Sequence, residues 1–182
     1  TGMHDSTDPM MRALSPLEEL RAIMDRLRDP EQGCEWDRAQ SFATIAPYTI
    51  EEAYEVADAI ERGDMEALKD ELGDLQLQVV FHARMAAEIG AFDLDDVIRA
   101  ISAKMIRRHP HLFGNGESPG WETIKAAERA SRGSDQSALA GVAAALPALL
   151  RADKLQRRAG RTGFDWPDAA GPRAKVIEEI AE

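Results

Sequence analysis

Two groups of carboxylates stand at the spacing a site for a hard cation requires. Glu51, Glu52 and Glu55 come first; past a turn at Gly63, Glu71 and Asp74 follow one helical turn apart. At about 100° per residue, Glu51, Glu52, Glu55 and Asp58 fall in one arc, and Ile50, Ala53, Tyr54, Ala57 and Ile60 take the opposite side. The first segment is therefore expected to show an acidic face and a core face. Glu71 and Asp74 run on into Leu75, Leu77, Val79, Val80 and Phe81, so the second segment is expected to be a helix buried nearly all round. Carboxylates are seldom buried without a compensating cation, because desolvating an unpaired charge is costly. Mg²⁺ and Mn²⁺ prefer oxygen ligands, and two such pairs facing each other could supply four carboxylates while leaving positions for water and phosphate. A solvated acidic face is the plainer account of Glu51; the apolar surroundings set Glu71 and Asp74 apart.

The elements that must hold these groups are helical. Ser15-Pro16-Leu17-Glu18 reads as a capping box with proline at the first helical position, followed by a stripe of Leu17, Leu20, Ile23, Met24 and Leu27. Asp29-Pro30-Glu31-Gln32-Gly33 breaks that helix and leads into a loop with Cys34, Trp36, Asp37 and Gln40. A second helix is expected from Pro47 or Thr49, with Thr49 and Glu52 as a competing capping box, ending at Gly63. Asp64 caps the third, which runs past His82 to Gly90; Gly73 inside it costs about 1 kcal/mol relative to alanine and suggests close approach by another helix or a substrate. Asp93 caps a fourth with Val97, Ile98, Ile101 and Met105 facing inward, and its last turns carry Lys104, Arg107 and Arg108, as a helix dipole favours. Pro110 stops it. Beyond a Gly114 to Gly120 loop come a short helix from Trp121 through Lys125 to Glu128, a polar linker at Arg132 to Ser137, and an Ala/Leu-rich helix from Leu139 to Ala159, interrupted or restarted at Pro147.

Composition narrows the function classes. The 182 residues allow one compact domain and an appendage. Hydrophobic residues are 44% and aromatics 5%, without an alternating β-branched run, so the fold class is all-α. A net charge of −11 disfavours binding to a nucleic-acid polymer but permits a small anion where a metal ion and local cations reverse the field. The single cysteine, Cys34, permits neither an intrachain disulfide nor a cysteine zinc site and suits a reducing cytoplasm, and no apolar run reaches membrane-spanning length. Residues 1–14 are polar and expected to be disordered, and a start at Thr-Gly points to a processed end.

Glu51-Glu52-Ala53-Tyr54-Glu55 followed by Glu71-Leu72-Gly73-Asp74 resembles the EExxE and ExxD signature of the MazG family of all-α nucleoside triphosphate pyrophosphohydrolases. Gly33-Cys34-Glu35-Trp36-Asp37, Ala46-Pro47-Tyr48-Thr49, Val79-Val80-Phe81-His82-Ala83 and Arg107-Arg108-His109-Pro110-His111 extend the likeness from about Leu17 to Arg129. The resemblance implies a four-helix-bundle-like core completed by a homodimer or higher homo-oligomer, and Mg²⁺-dependent hydrolysis of a nucleoside triphosphate to monophosphate and pyrophosphate. It implies Glu52, Glu55, Glu71 and Asp74 as metal ligands, with Glu51 the catalytic candidate for activating or positioning water. It also implies Lys104, Arg107, Arg108 and Lys125 on phosphate, and Trp36 and Gln40 near base or sugar. Trp36 has an equal claim as a plug fixing its loop to the bundle. Trp121 and Lys125 belong to a segment similar to the family's WExIKxxE.

The tail echoes the head. Gly163-Phe164-Asp165-Trp166 repeats Gly33-Cys34-Glu35-Trp36, and Ile177-Glu178-Glu179-Ile180-Ala181-Glu182 repeats Ile50 to Glu55, with no second ExxD to follow. The expected organisation is a MazG-like domain at 15–132 and, at 133–182, a linker and helices that begin a second, truncated MazG-like repeat. Two other classes stand beside the hydrolase. A carboxylate-bridged di-iron bundle would want Glu-x-x-His, which is lacking here. A weakly catalytic metal-binding oligomerisation or regulatory domain, with the main activity in a missing second domain, would use the same carboxylates.

Overall fold

Capping side chains set the helix boundaries. In the computed structural model, which describes residues 14–114, 116, 120, 123–124, 128 and 137–182, α1 (Pro16–Leu27) opens as expected, with the Ser15 amide donating to Glu18 Oε2 at 2.9 Å. The break after it is built on Asp29, whose Oδ1 accepts from the amides of Glu31 and Gln32. Gly33 is obligatory there: a Cβ would stand 2.5 Å from the carbonyl oxygens of Leu27 and Asp29. The segment expected as loop then winds into a short helix, α2 (Glu35–Ala39).

α3 (Phe42–Arg62) begins several residues before the expected Pro47 or Thr49. Ser41 and Thr44 cap each other reciprocally, the Ser41 amide donating to Thr44 Oγ1 at 2.8 Å. Pro47 lies inside the helix, where it removes only the bond to the Ala43 carbonyl. Thr49 is thus not a cap, and Glu52 is released from that structural role. Gly63 closes α3 in the left-handed conformation at φ 68°, and Asp64 caps α4 (Met65–Glu88) by accepting from the Ala67 amide. Asp93 caps α5 (Leu94–Arg108), and Pro110 starts the short α6 (Pro110–Phe113). The described residues divide into two compact units, at Phe113 and Gly114.

In the first unit α3 packs along α4, and α1 and α5 flank α4. The core is Met24, Ile45, Val80, Phe81, Ala83, Met85 and Leu94, with Leu20, Leu27, Leu77 and Val97 against it. It is gathered around the second half of α4. The expectation of a helix buried nearly all round holds there and fails in the first half, where Leu72, Gly73 and Asp74 are exposed. The expected core face of α3 is likewise open: Tyr54 is 55% and Ile60 58% exposed, while Ala59 is buried. Ile98 and Ile101 of α5 are also exposed rather than inward. Gly73 faces open space: a Cβ added there would meet nothing within 4 Å among the described residues beyond its own helix backbone, so no other helix of the first unit approaches it. The mismatch has one cause: α1 and α5 cover α4 only near the core end, and among the described residues of the first unit no further helix lies over the far half of the α3–α4 pair.

The second unit contains α7 (Ala148–Gly160) and α8 (Ala170–Ala181). The helix expected from Leu139 starts only after Pro147, where proline occupies the cap. Trp166 lies so close on the α8 backbone that a Cβ at Gly171 would meet its ring at 2.0 Å. Glu178 and Glu179 of the repeated motif are paired with Lys175 at 2.7 and 3.1 Å. All eight elements of the described residues are helices.

Candidate metal centre

The α3–α4 pairing brings together carboxylates that are distant in sequence. Glu52, Glu55 and Glu71 each offer an oxygen, and these oxygens lie within 4.8 Å of one another. Glu52 and Glu71 are half-buried, and Glu55 is exposed. Partial burial pushes the Glu52 carboxyl above the ordinary range, and the negative charges of Asp74, Glu55 and Glu71 push it further. Glu71 is raised in the same way, by desolvation and then by Glu55, Asp74 and Asp70, with Arg62 opposing. Arg62 itself is bonded to Asp58 at 2.8 Å. The cluster thus carries more negative charge than its neighbours offset. Hard oxygen donors at this separation, with mutually elevated proton affinity, fit a divalent oxygen-loving cation.

The remaining site residues spread around this centre. Asp74 is exposed and close enough to raise both Glu52 and Glu71. Glu51 is exposed and stands outside the cluster. Lys104, Arg107 and Arg108 are on the last turns of α5, a different element from the carboxylates. Trp36 sits on α2 with its ring edge-on to Tyr48 of α3, centroids 6.4 Å apart, and the Gln40 amide donates to the Trp36 carbonyl at 2.9 Å. Trp121 and Lys125 lie outside the described residues.

Three features of the bundle away from the carboxylates are not apparent from the sequence. Thr49 Oγ1 meets His82 Nε2 at 3.0 Å, joining α3 to α4, and Phe42 stacks on the His82 ring at 5.9 Å. Burial lowers the His82 pKa and so favours the neutral ring. Gln78 falls on the same strip of α4 as Glu71 and His82; it is buried, and its Oε1 has no hydrogen-bond partner among the described residues. Arg28, 9% exposed, joins α1 to α4 and α2. Sequence shows each as an ordinary polar residue, because the partners of Thr49 and Arg28 lie on other elements and the burial of Gln78 follows only from packing.

The profile of the MazG nucleotide pyrophosphohydrolase domain matches residues 40–113. The chain is 51% identical over 176 residues to the nucleoside triphosphate pyrophosphohydrolase of Escherichia coli (strain K12), covering 93% of this chain and 66% of that one. It is 48% identical over 170 residues to the nucleoside triphosphate pyrophosphohydrolase/pyrophosphatase MazG of Thermotoga maritima, covering 91% and 65%. The chain belongs to the MazG family. It spans about two thirds of the length of these two relatives. A nucleoside triphosphate pyrophosphohydrolase of Mycobacterium tuberculosis is 37% identical over 152 residues, covering 79% and 44%. The matched MazG segment takes in α3 to α6, and with them both carboxylate groups and the α5 cations, while α1 and α2 precede it.

Proposed function

We propose that this chain hydrolyses nucleoside triphosphates to monophosphate and pyrophosphate at the α3–α4 carboxylates, with Mg²⁺ as the cation and Mn²⁺ as a substitute. The observation that carries the reading is the convergence of Glu52, Glu55 and Glu71 oxygens within 4.8 Å, in a chain with relatives named for this activity. Asp74 completes the ligand set from one turn along α4. A bound divalent cation would neutralise phosphate charge and make a coordinated water more acidic. Glu52 and Glu71, whose proton affinity is raised, hold the cation more readily than they hold each other's charge. Glu51, exposed beside the cluster, orients the attacking water and accepts its proton. Lys104, Arg107 and Arg108, with Lys125, take the phosphates that the carboxylates would repel. Trp36 and Gln40 contact base or sugar, and Trp121 lines the same substrate.

The same reading makes the protein a cytoplasmic homo-oligomer whose catalytic domain is residues 15–132, with 133–182 beginning a second repeat. The exposed Tyr54, Ile60 and Leu72 beside the acidic cluster support a second copy covering the open half of the α3–α4 pair. The test is pyrophosphate release across the ribo- and deoxynucleoside triphosphates with Mg²⁺ and with EDTA. Release is expected only with the cation, and Glu71→Gln and Asp74→Asn should each reduce it roughly a hundredfold, as loss of a metal ligand or its orienting group does. Near-normal rates in either variant would remove these residues from the site. Mg²⁺ binding without release would leave the chain a metal-binding scaffold.

A further inference from the structure

One guanidinium ties three elements together. Arg28 caps α1, and its side chain is 7% exposed. Nε and Nη2 donate to the two carboxylate oxygens of Glu88, at the end of α4, at 2.8 and 2.7 Å. Nη1 donates to the carbonyl of Asp37 and reaches that of Gln40 at 3.5 Å. The guanidinium lies 5.3 Å from the ring centre of Phe81, a core residue. Glu88 is steadied in turn by Arg84, which also grips Asp25 of α1.

The held carbonyls are those at the C-terminal end of α2, where a helix runs out of its own donors: the Asp37 carbonyl accepts one long bond from the Gln40 amide at 3.3 Å, and Arg28 adds a charged donor. α2 is five residues long and contributes nothing to the buried core, so its own packing does not fix its position. Its start is held by the Cys34 amide on the Leu27 carbonyl at 2.8 Å, its end by Arg28, and its outer side by the Trp36–Tyr48 contact. Tyr48 is one turn of α3 from Glu52. The fork of Arg28 therefore sets where Trp36 and Gln40 stand relative to the carboxylates. Lysine could keep the charge opposite Glu88, but its single ammonium cannot span a carboxylate and two backbone carbonyls in a fixed plane.

We infer that Arg28 is a positioning residue for nucleotide binding: it locks α2 so that Trp36 and Gln40 meet the nucleoside at a fixed offset from the metal-binding carboxylates. The inference rests on the proposed contact of Trp36 and Gln40 with substrate. Arg28→Lys should speed amide hydrogen exchange in residues 35–40 and raise KM for the triphosphate roughly tenfold or more, the effect of losing a charge-assisted hydrogen bond, with kcat and Mg²⁺ affinity little changed. Glu88→Gln, which leaves the bonds from Arg28 to α2 in place, should lower Tm without that rise in KM. Arg28→Gln gives the same reading should lysine at 28 prevent folding. An equal rise in KM in Glu88→Gln, or a parallel loss of Mg²⁺ affinity in Arg28→Lys, would show general disruption and overturn the assignment. Trp36→Ala separates the two ideas: if it raises KM and Arg28→Lys does not, Arg28 has no positioning role and the substrate reading stands. If neither raises KM, the substrate reading of α2 falls and the role of Arg28 falls with it.

Discussion

The residues of this site pull against one another electrostatically, and pH separates them. Glu88 is held below the ordinary carboxylate range, first by its hydrogen bonds from Arg28 and then by the charges of Arg28 and Arg84. A depressed pKa contributes stability above the unfolded value of about 4.3, and that contribution is lost as pH falls through the folded value. Glu52 and Glu71 are raised, so protonating them relieves repulsion and acts with the opposite sign over the same descent. Glu88→Gln should therefore flatten the loss of Tm as the solution is acidified from neutral pH into the carboxylate range, as followed by calorimetry in EDTA. An unchanged acid limb would mean that the Arg28–Glu88 pair carries no net stability. At this scale the sequence is informative where ligands share a helix, since Glu52 with Glu55 and Glu71 with Asp74 follow from spacing alone. It is silent on Thr49 with His82 and on Arg28 with Glu88 and Asp37, because those pairs exist only once α1, α2, α3 and α4 have docked.

Among the elements, caps are readable in the sequence and coverage is not. Ser15, Asp64 and Asp93 open helices as their side-chain chemistry requires, and Gly63 ends one in the left-handed region. Pro47 misleads, because a proline inside a long helix and a proline at its start look alike in a sequence, and only the reciprocal Ser41–Thr44 cap distinguishes them. Apolar faces are likewise periodic on α3 and α4, yet periodicity cannot say which faces a third helix will cover. Gly73 lies on the uncovered half of α4. With free space around it, Gly73→Ala should raise stability by about 1 kcal/mol through helix propensity alone. That gain, measured by urea denaturation of the isolated chain, should come with lower turnover if substrate or a second copy approaches α4 at this point. Destabilisation would show instead that the α4 backbone at Gly73 is in contact with another surface in the folded protein.

At the scale of the whole molecule, the acidic cluster sits on the half of the α3–α4 pair with least cover, and the core sits on the other. A metal site placed so openly would be largely solvated in a single chain, while the apolar residues beside it would be exposed to water. The proposed second copy would resolve both. Analytical ultracentrifugation should give a multiple of the chain mass, and Leu72→Lys, which puts a charge on a side chain now 50% exposed, should shift it toward the monomer and weaken Mg²⁺ binding. A monomeric wild-type chain with full metal affinity would reject that account. Cys34 then offers a ruler. It is the sole thiol, it is exposed, and its amide is fixed to the Leu27 carbonyl at 2.8 Å directly before α2. A nitroxide attached there enters each chain once, so dipolar spectroscopy of a dimer would return one spacing, and its narrowing or shift on adding nucleotide would report movement of α2 without any engineered cysteine.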